Sequence, residues 1–148
     1  MPTILRNKEM AKKRTVLFVD DDDQILRSLE RGLRDESYNK LFVKSGKEAL
    51  EILRKEEVHV IVTDMCMPEM TGLELLRTVR KEYPNITGMV LTGFELDTEL
   101  QNAAEQGEIF KLISKPLWKH GVKFERLILR ALERSNLQDE CDTVKQKN

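Results

Sequence analysis

Five short apolar segments, each followed by a segment with helical spacing, constrain the fold of this 148-residue chain more than any other feature. Residues 15–19 read Thr-Val-Leu-Phe-Val, and such β-branched and aromatic side chains are typical of a strand buried on both faces. Apolar residues then recur at helical spacing from Ile25 to Leu33 and predict a helix over about 23–35. The first strand is therefore expected to lead directly into a helix that packs back on it.

The same pair of elements recurs four more times, and no low-complexity sequence separates the pairs. The further predicted strands are residues 40–43, 58–62, 88–91 and 109–113. The helices predicted after them begin near Ser45-Gly46 and near Gly72, span residues 95–106, and run from Trp118 to about Arg134. Strands that alternate with helices in this way predict a doubly wound α/β fold, with helices on both faces of a parallel sheet.

The charge and cysteine content exclude several broad classes of protein. Lys and Arg number 25 against 26 Asp and Glu, and a net formal charge of −1 argues against bulk attraction to nucleic acid or to an anionic membrane. No apolar run approaches the ~20 residues that a membrane-spanning helix needs. Cys66 and Cys141 are too few for a disulfide scaffold, so we expect a reduced, cytoplasmic protein.

One domain accounts for most of the chain. Residues 15–134 hold all the predicted strands and helices, and about 120 residues is an ordinary domain size. Residues 1–14 form a polar, basic arm without the aromatic interleaving or motif of a nucleic-acid site. Residues 135–148 are expected to be a polar tail or the start of a linker helix.

Polar residues follow four of the predicted strands at the point where each strand ends. Asp20-Asp21 follows the first strand and Asp64 the third, whereas Thr92 and Lys115-Pro116 follow the fourth and fifth. Because ligands of doubly wound sheets bind beyond the carboxyl ends of the strands, these side chains are expected to converge at one edge. Asp22 or Asp23 would in addition cap the first helix.

Three carboxylates in one place repel one another unless a cation offsets their charge. An oxygen-only cluster suits a hard cation such as Mg²⁺, which binds through a few carboxylates together with phosphate oxygens. Thr92 can donate a hydrogen bond to a phosphoryl oxygen, and Lys115 supplies a positive charge for the same anion. A nucleophilic Asp, a Mg²⁺ ion and two such groups are what a reversible aspartyl phosphate requires.

Over residues 15–134 the chain resembles the receiver domain of two-component response regulators, of the CheY-like superfamily. The residues that carry the resemblance are Val19-Asp20-Asp21, Asp64-Met65-Cys66-Met67-Pro68 with Gly72, Leu91-Thr92-Gly93 and Ser114-Lys115-Pro116. The resemblance implies a (βα)5 flavodoxin-like three-layer sandwich whose five parallel strands lie in the order 2-1-3-4-5. It also implies a cis peptide bond between Lys115 and Pro116.

The resemblance also implies a role for each site residue. Asp64 is expected to be the phosphoacceptor, Thr92 the switch hydroxyl and Lys115 the lysine that pairs with the phosphoryl group. A Mg²⁺ or Mn²⁺ ion would be held by Asp20, Asp21, Asp64 and the backbone carbonyl of Cys66. The sequence departs from the pattern at Leu112, where many receivers carry a Phe or Tyr whose rotamer follows phosphorylation.

The function implied is that of a bacterial, cytoplasmic signalling domain rather than an enzyme, with weak autophosphorylation and autodephosphorylation only. A sensor histidine kinase or a phosphotransfer protein would donate the phosphoryl group. The domain would then switch conformation at the face built from helix four, strand five and helix five. That face could also support a homodimer, whereas nucleic acid and membranes are not expected partners.

Two alternatives stay open at this point. A haloacid-dehalogenase-like phosphatase also uses an Asp after its first strand with a second Asp two residues on, as in Asp20-Asp21-Asp22, but its acidic pair after strand four is replaced here by Thr92-Gly93. A degenerate receiver would act only as a docking or dimerisation module. A nucleotide-binding protein would need a glycine-rich phosphate loop, which the sequence does not contain.

Overall fold

A single parallel sheet of five strands organises the chain. The structure is a computed structural model that describes residues 14–93, 97–116 and 122–147, with the backbone alone for 136–147. The strands are β1 Thr15–Val19, β2 Asn39–Val43, β3 Val60–Asp64, β4 Thr87–Thr92 and β5 Lys111–Ser114. The helices are α1 Asp23–Gly32, α2 Gly46–Lys55, α3 Gly72–Glu82, α4 Thr98–Glu105 and α5 Val122–Lys147.

The strand order is β2-β1-β3-β4-β5, with every neighbouring pair parallel, so the predicted flavodoxin-like α/β fold is confirmed. In β1, Val16 pairs with Lys40 of β2 on one side and with Val60 of β3 on the other. The chain leaves β1 toward one edge and returns to the other side of β1, which makes the space between β1 and β3 the topological switch point. In sheets of this kind, that crevice is where ligands bind.

Two apolar cores lie on opposite faces of the sheet, because successive side chains of a strand point to opposite faces. On one face α1 and α5 pack on strand residues such as Phe18, and Ile128 of α5 is fully buried there. On the other face α2, α3 and α4 pack on residues such as Ile61, which contribute to a core with Leu75 and Leu100. Both faces of the sheet are therefore covered, as its continuous apolar strands predict.

Several element bounds differ from those predicted from sequence. The fifth strand begins at Lys111 rather than at Ile109, although Ile109 is buried, because the ladder with β4 starts opposite Met89. An apolar pattern reflects burial and does not distinguish a buried loop residue from a paired strand residue. Helix α4 is shorter than the predicted 95–106, since Asp97 provides its N-cap.

Helix α5 continues to Lys147, well past the end predicted near Arg134. The reason is local, because no Gly or Pro interrupts residues 122–147 and nothing else in that segment forces a helix to stop. The predicted helix start at Trp118 and almost all of the predicted arm, residues 1–13, lie outside the described residues. Among the helices that are described, none is both long and apolar enough to cross a bilayer.

Helix α4 ends in a hydrogen-bonded turn that requires a left-handed residue. The N–H of Gly107 donates to the carbonyl of Ala104 and the N–H of Glu108 to that of Ala103, and φ of Gly107 is +83°. This pair of bonds is a Schellman motif, in which glycine avoids the steric cost that a Cβ brings at positive φ.

Replacing Gly107 with Ala is therefore expected to lower the free energy of unfolding by about 1 kcal/mol, since an L-residue is strained at this φ. Urea denaturation of the variant would measure the loss. Gly32→Ala is the matched control, because Gly32 ends α1 without a positive φ, and a Cβ added there would have no neighbouring atom within 4 Å. An equal loss in both variants would contradict the prediction.

Candidate functional site

Asp20 is held in a fixed orientation where β1 gives way to α1. Its backbone N–H donates to the carbonyl of Val43 at 3.1 Å, which extends the pairing of β1 with β2 by one residue. Its carboxylate Oδ1 accepts the backbone N–H of Asp22 at 2.9 Å, and the residue is 1 % exposed. Asp22 is the N-cap of α1, because its Oδ1 accepts the N–H of Gln24 at 2.9 Å. The sequence predicts either Asp22 or Asp23 in this position.

Asp64 is the last residue of β3 and is buried, so its carboxylate lies at the carboxyl edge of the sheet beside that of Asp20. The loop that follows folds back against it. The N–H of Gly72, at the start of α3, donates to the carbonyl of Met65 at 2.9 Å. A Cβ on Gly72 would overlap the carbonyl oxygen of Asp64, so this close approach requires glycine.

Lys115 follows β5 and reaches across β4 to both buried carboxylates. Its Nζ lies 2.8 Å from Oδ1 of Asp64 and 3.3 Å from Oδ2 of Asp20. Its backbone is fixed as well, since its N–H donates to the carbonyl of Thr92 at 2.9 Å. The peptide bond between Lys115 and Pro116 is cis, as the resemblance implied.

The exposed carboxylate of Asp21 completes an acidic cluster with Asp20 and Asp64. One carboxylate oxygen from each of the three lies within 4.8 Å of the others, a spacing that can hold a metal ion. The cluster offers oxygen atoms alone, which fits a hard divalent cation better than zinc or copper. Three carboxylates and one ammonium sum to −2, so a divalent cation would balance the charge.

Thr92 is the final residue of β4 and is half-buried, so it lies at the same sheet edge as the acidic cluster. The register places it opposite Ser114 of β5 and one residue beyond Leu91, the partner of Asp64. Cys66 is exposed with a free thiol, and its expected role as a carbonyl ligand stays a prediction.

Burial changes the acid–base behaviour of the site. The pKa of Asp20 is raised mainly because burial penalises its charged form and the charge of Asp64 adds to this; the hydrogen bond from Asp22 and the charge of Lys115 oppose the shift. Burial alone would lower the pKa of Lys115, but the hydrogen bond to Asp64 and the charges of Asp64 and Asp20 raise it above its ordinary value. Lys115 is therefore a cation at neutral pH.

Two ionic contacts of one arginine have no signal in the sequence. Arg77 of α3 contacts Glu99 of α4 and Glu108 of the loop after α4, residues that lie 22 and 31 positions away along the chain. Such pairs depend on how the helices pack, and local patterns of charge do not predict them.

A flavodoxin-like sheet with an acidic cluster and a lysine at its switch point defines a class of CheY-like α/β domains. The response regulator receiver domain family model matches residues 16–123. The chain therefore belongs to the family of two-component response regulator receiver domains, and the resemblance seen in the sequence is confirmed.

Individual relatives agree with this assignment. The hydrogenase transcriptional regulatory protein HoxA of Cupriavidus necator is 36% identical over 105 residues, which are 71% of this chain and 22% of that protein. The two-component response regulator ORR3 of Oryza sativa subsp. indica is 39% identical over 95 residues, 62% of this chain and 72% of that protein. The chain thus spans less than a quarter of the length of HoxA.

A solved structure supports the fold in the same way. The crystal structure of adenylate cyclase from Rhodopirellula baltica matches with a TM-score of 0.84 at 28% identity, and the match covers 92% of this chain and 99% of that one. The similarity therefore extends beyond the residues that the family model covers.

Replacing Asp20 with Asn is expected to raise the free energy of unfolding at pH 7 in the presence of a chelator. A carboxyl whose pKa is higher in the folded than in the unfolded chain destabilises the fold once it is ionised. That cost is absent below the pKa of the unfolded chain and develops as the pH rises through the pKa of the folded one. The gain should accordingly shrink as the pH is lowered from 7 toward 4.

Urea denaturation across this pH range would measure the difference between Asp20→Asn and the wild type. Asp21→Asn is the control, because Asp21 is exposed and bears no comparable burial cost. A variant at Asp20 that is less stable than the wild type at pH 7 would contradict the argument.

Replacing Gly72 with Ala is expected to cost about 1–3 kcal/mol of stability, because the added methyl group meets the backbone of Asp64 and Met65, which cannot move aside easily. Thermal or urea denaturation would measure the cost. Gly93→Ala, where a Cβ would have nothing within 4 Å, should change the stability by less than about 0.5 kcal/mol. The two variants behaving alike would sink the idea that Gly72 is required by close packing.

Proposed function

We propose that this chain is a phosphoacceptor domain that receives a phosphoryl group on Asp64 from a histidine kinase or a phosphotransfer protein. The observation that carries the proposal is the contact of 2.8 Å between the ammonium of Lys115 and the buried carboxylate of Asp64, beside two further carboxylates. Membership of the receiver family and the similarity to a named two-component response regulator support the choice of donor.

The Asp64 carboxylate is the nucleophile. One of its oxygens forms a bond to phosphorus while the bond from phosphorus to the donor breaks, and the leaving group keeps that electron pair. An aspartate carboxylate attacks without the help of a general base, because the attacking oxygen has no proton to lose. Water can hydrolyse the acyl phosphate that results, so we expect weak autodephosphorylation and a signalling role rather than an enzymatic one.

The other residues bind and orient the transferred group. Lys115 places a permanent positive charge against Asp64 and pairs with a phosphoryl oxygen after transfer. Thr92, at the end of the adjacent strand, donates its hydroxyl to another phosphoryl oxygen. Asp20, Asp21, Asp64 and the carbonyl of Cys66 would hold a Mg²⁺ or Mn²⁺ ion, which when bound offsets the charge between the carboxylates and the phosphoryl oxygens.

The output of the domain is a shift between two conformations at the face formed by α4, β5 and α5. Thr92 is five residues before Asp97, the N-cap of α4, so a hydrogen bond from Thr92 to the phosphoryl group acts directly on the chain that leads into this helix. The same face is the proposed surface of a homodimer, and the proposed location is the cytoplasm of a bacterium, where a kinase partner would act.

The alternatives have less support. A haloacid-dehalogenase-like phosphatase would need an acidic pair after its fourth strand, and this chain has Thr92-Gly93 at that place. A degenerate receiver would have no functional reason to keep a lysine paired with two buried carboxylates. Burying these charges costs free energy, so their presence favours an active site.

Incubation with acetyl phosphate and Mg²⁺ is expected to add one phosphoryl group to the wild type, measured by intact mass. Asp64→Asn should gain none, because its amide is not a nucleophile, and chelation of Mg²⁺ should lower the yield in the wild type. Asp23→Asn is the matched control, since Asp23 is an exposed carboxylate that pairs with Lys44 outside the cluster. Failure of the wild type to gain a phosphoryl group with Mg²⁺ present would refute the proposed function.

A further inference from the structure

Helix α4 depends on neighbouring elements for its position. It has eight residues, of which Leu100 and Ala103 are buried, and a helix of that length is not stable by itself in water. Its last turn contains no basic residue to offset the helix dipole. Contacts that tie α4 to the rest of the domain therefore have a large influence on where it lies.

A single guanidinium on α3 makes two such contacts. Nη1 of Arg77 lies 2.6 Å from Oε1 of Glu99, and its Nε lies 3.0 Å from Oε2 of Glu108. The hydrogen bonds to Glu108 and Glu99 raise the pKa of the Arg77 guanidinium above its ordinary value. The planar guanidinium provides donors in two fixed directions, so one side chain can bind two separate carboxylates.

Backbone hydrogen bonds fix both glutamates to the ends of α4. Glu99 lies in its first turn, where its N–H donates to the N-cap Asp97 at 2.9 Å. Glu108 lies just beyond the last turn, where its N–H donates to the carbonyl of Ala103 at 2.9 Å in the Schellman motif. Arg77 therefore connects α3 to both ends of α4. A movement of α4 relative to α3 would change the hydrogen bond from Arg77 to Glu99, its hydrogen bond to Glu108, or both.

We propose that Arg77 is a positioning residue that holds α4 against α3 in the unphosphorylated domain and thereby opposes phosphorylation of Asp64. The inference rests on the proposed function, in which phosphorylation displaces α4 through Thr92. A contact made in one conformation and lost in the other shifts the balance toward the first by its differential free energy. Leu112 packs against the core that includes Leu100 and offers no aromatic ring that could change rotamer on phosphorylation. We therefore assign the link between phosphorylation and the position of α4 to the ionic contacts of Arg77.

The chain offers a matched pair of variants. Arg77→Gln and Arg80→Gln each remove one positive charge from α3 and keep a similar helix propensity. Arg80 is exposed one turn further along, and it forms no ion pair within the described part of the chain. Partly exposed pairs contribute modestly, so Arg77→Gln is expected to accelerate hydrogen exchange of the α4 amides about 2- to 5-fold, and Arg80→Gln to leave it unchanged.

The same variants are then compared for the initial rate of phosphorylation by acetyl phosphate with Mg²⁺. Arg77→Gln should react about 2- to 5-fold faster than the wild type, whereas Arg80→Gln should react at the wild-type rate. Arg77→Lys should restore part of the slow rate, because an ammonium can pair with one of the two carboxylates. Glu99→Gln should also be faster, and adding it to Arg77→Gln should give less than the product of the two effects.

Salt supplies a readout that loss of packing would not move. Raising the ionic strength from 0.1 M to about 1 M shortens the screening length from ~10 Å to ~3 Å, so it should accelerate the wild type more than Arg77→Gln. Equal rates for Arg77→Gln and Arg80→Gln, or a slower Arg77→Gln, would overturn the proposal. If the wild type gains no phosphoryl group, the proposed function has failed and the effect on reactivity fails with it, whereas exchange at α4 still decides whether Arg77 holds the helix.

Discussion

The rest of the site depends on the burial of two carboxylates against one ammonium at the point where the sheet changes direction. Asp20 and Asp64 come from neighbouring strands, and Lys115 reaches both from the far side of β4. Burying like charges side by side is unfavourable unless the geometry is close to ideal and a cation is present. The fold therefore has to fix three backbone segments, after β1, at the end of β3 and after β5, so that the three side chains meet.

The backbone does this with contacts that add no charge. The N–H of Asp22 donates a hydrogen bond to the carboxylate of Asp20, and the N–H of Lys115 donates to the carbonyl of Thr92. Gly72 lets the start of α3 approach Asp64 closely. The contacts of Asp22 and Gly72 lie within one connection between a strand and a helix, whereas the N–H of Lys115 joins the segment after β5 to the end of β4. These polar contacts lie at the carboxyl edge of the sheet, whereas the two apolar cores lie on its two faces.

This separation explains which features the sequence predicts. Apolar runs identify the five strands and their common direction, and polar residues directly after them identify Asp20, Asp64 and Lys115 as neighbours, since parallel strands all end at one edge. The start of β5 was not predictable, because burial without strand pairing at Ile109 leaves no local mark. The contacts of Arg77 were missed because they join residues that only tertiary packing brings together.

The distribution of stability over the fold favours α4 as the element that can respond to the site. The strands β1 and β3 are buried and paired with each other, so the proposed change of charge at Asp64 would not easily move them. Helix α4 instead is short, is capped by Asp97 at one end and by Gly107 at the other, and is fastened laterally by partly exposed ion pairs. Partly exposed ion pairs contribute little free energy, so they can hold a helix in place and still be overcome by a single charged group.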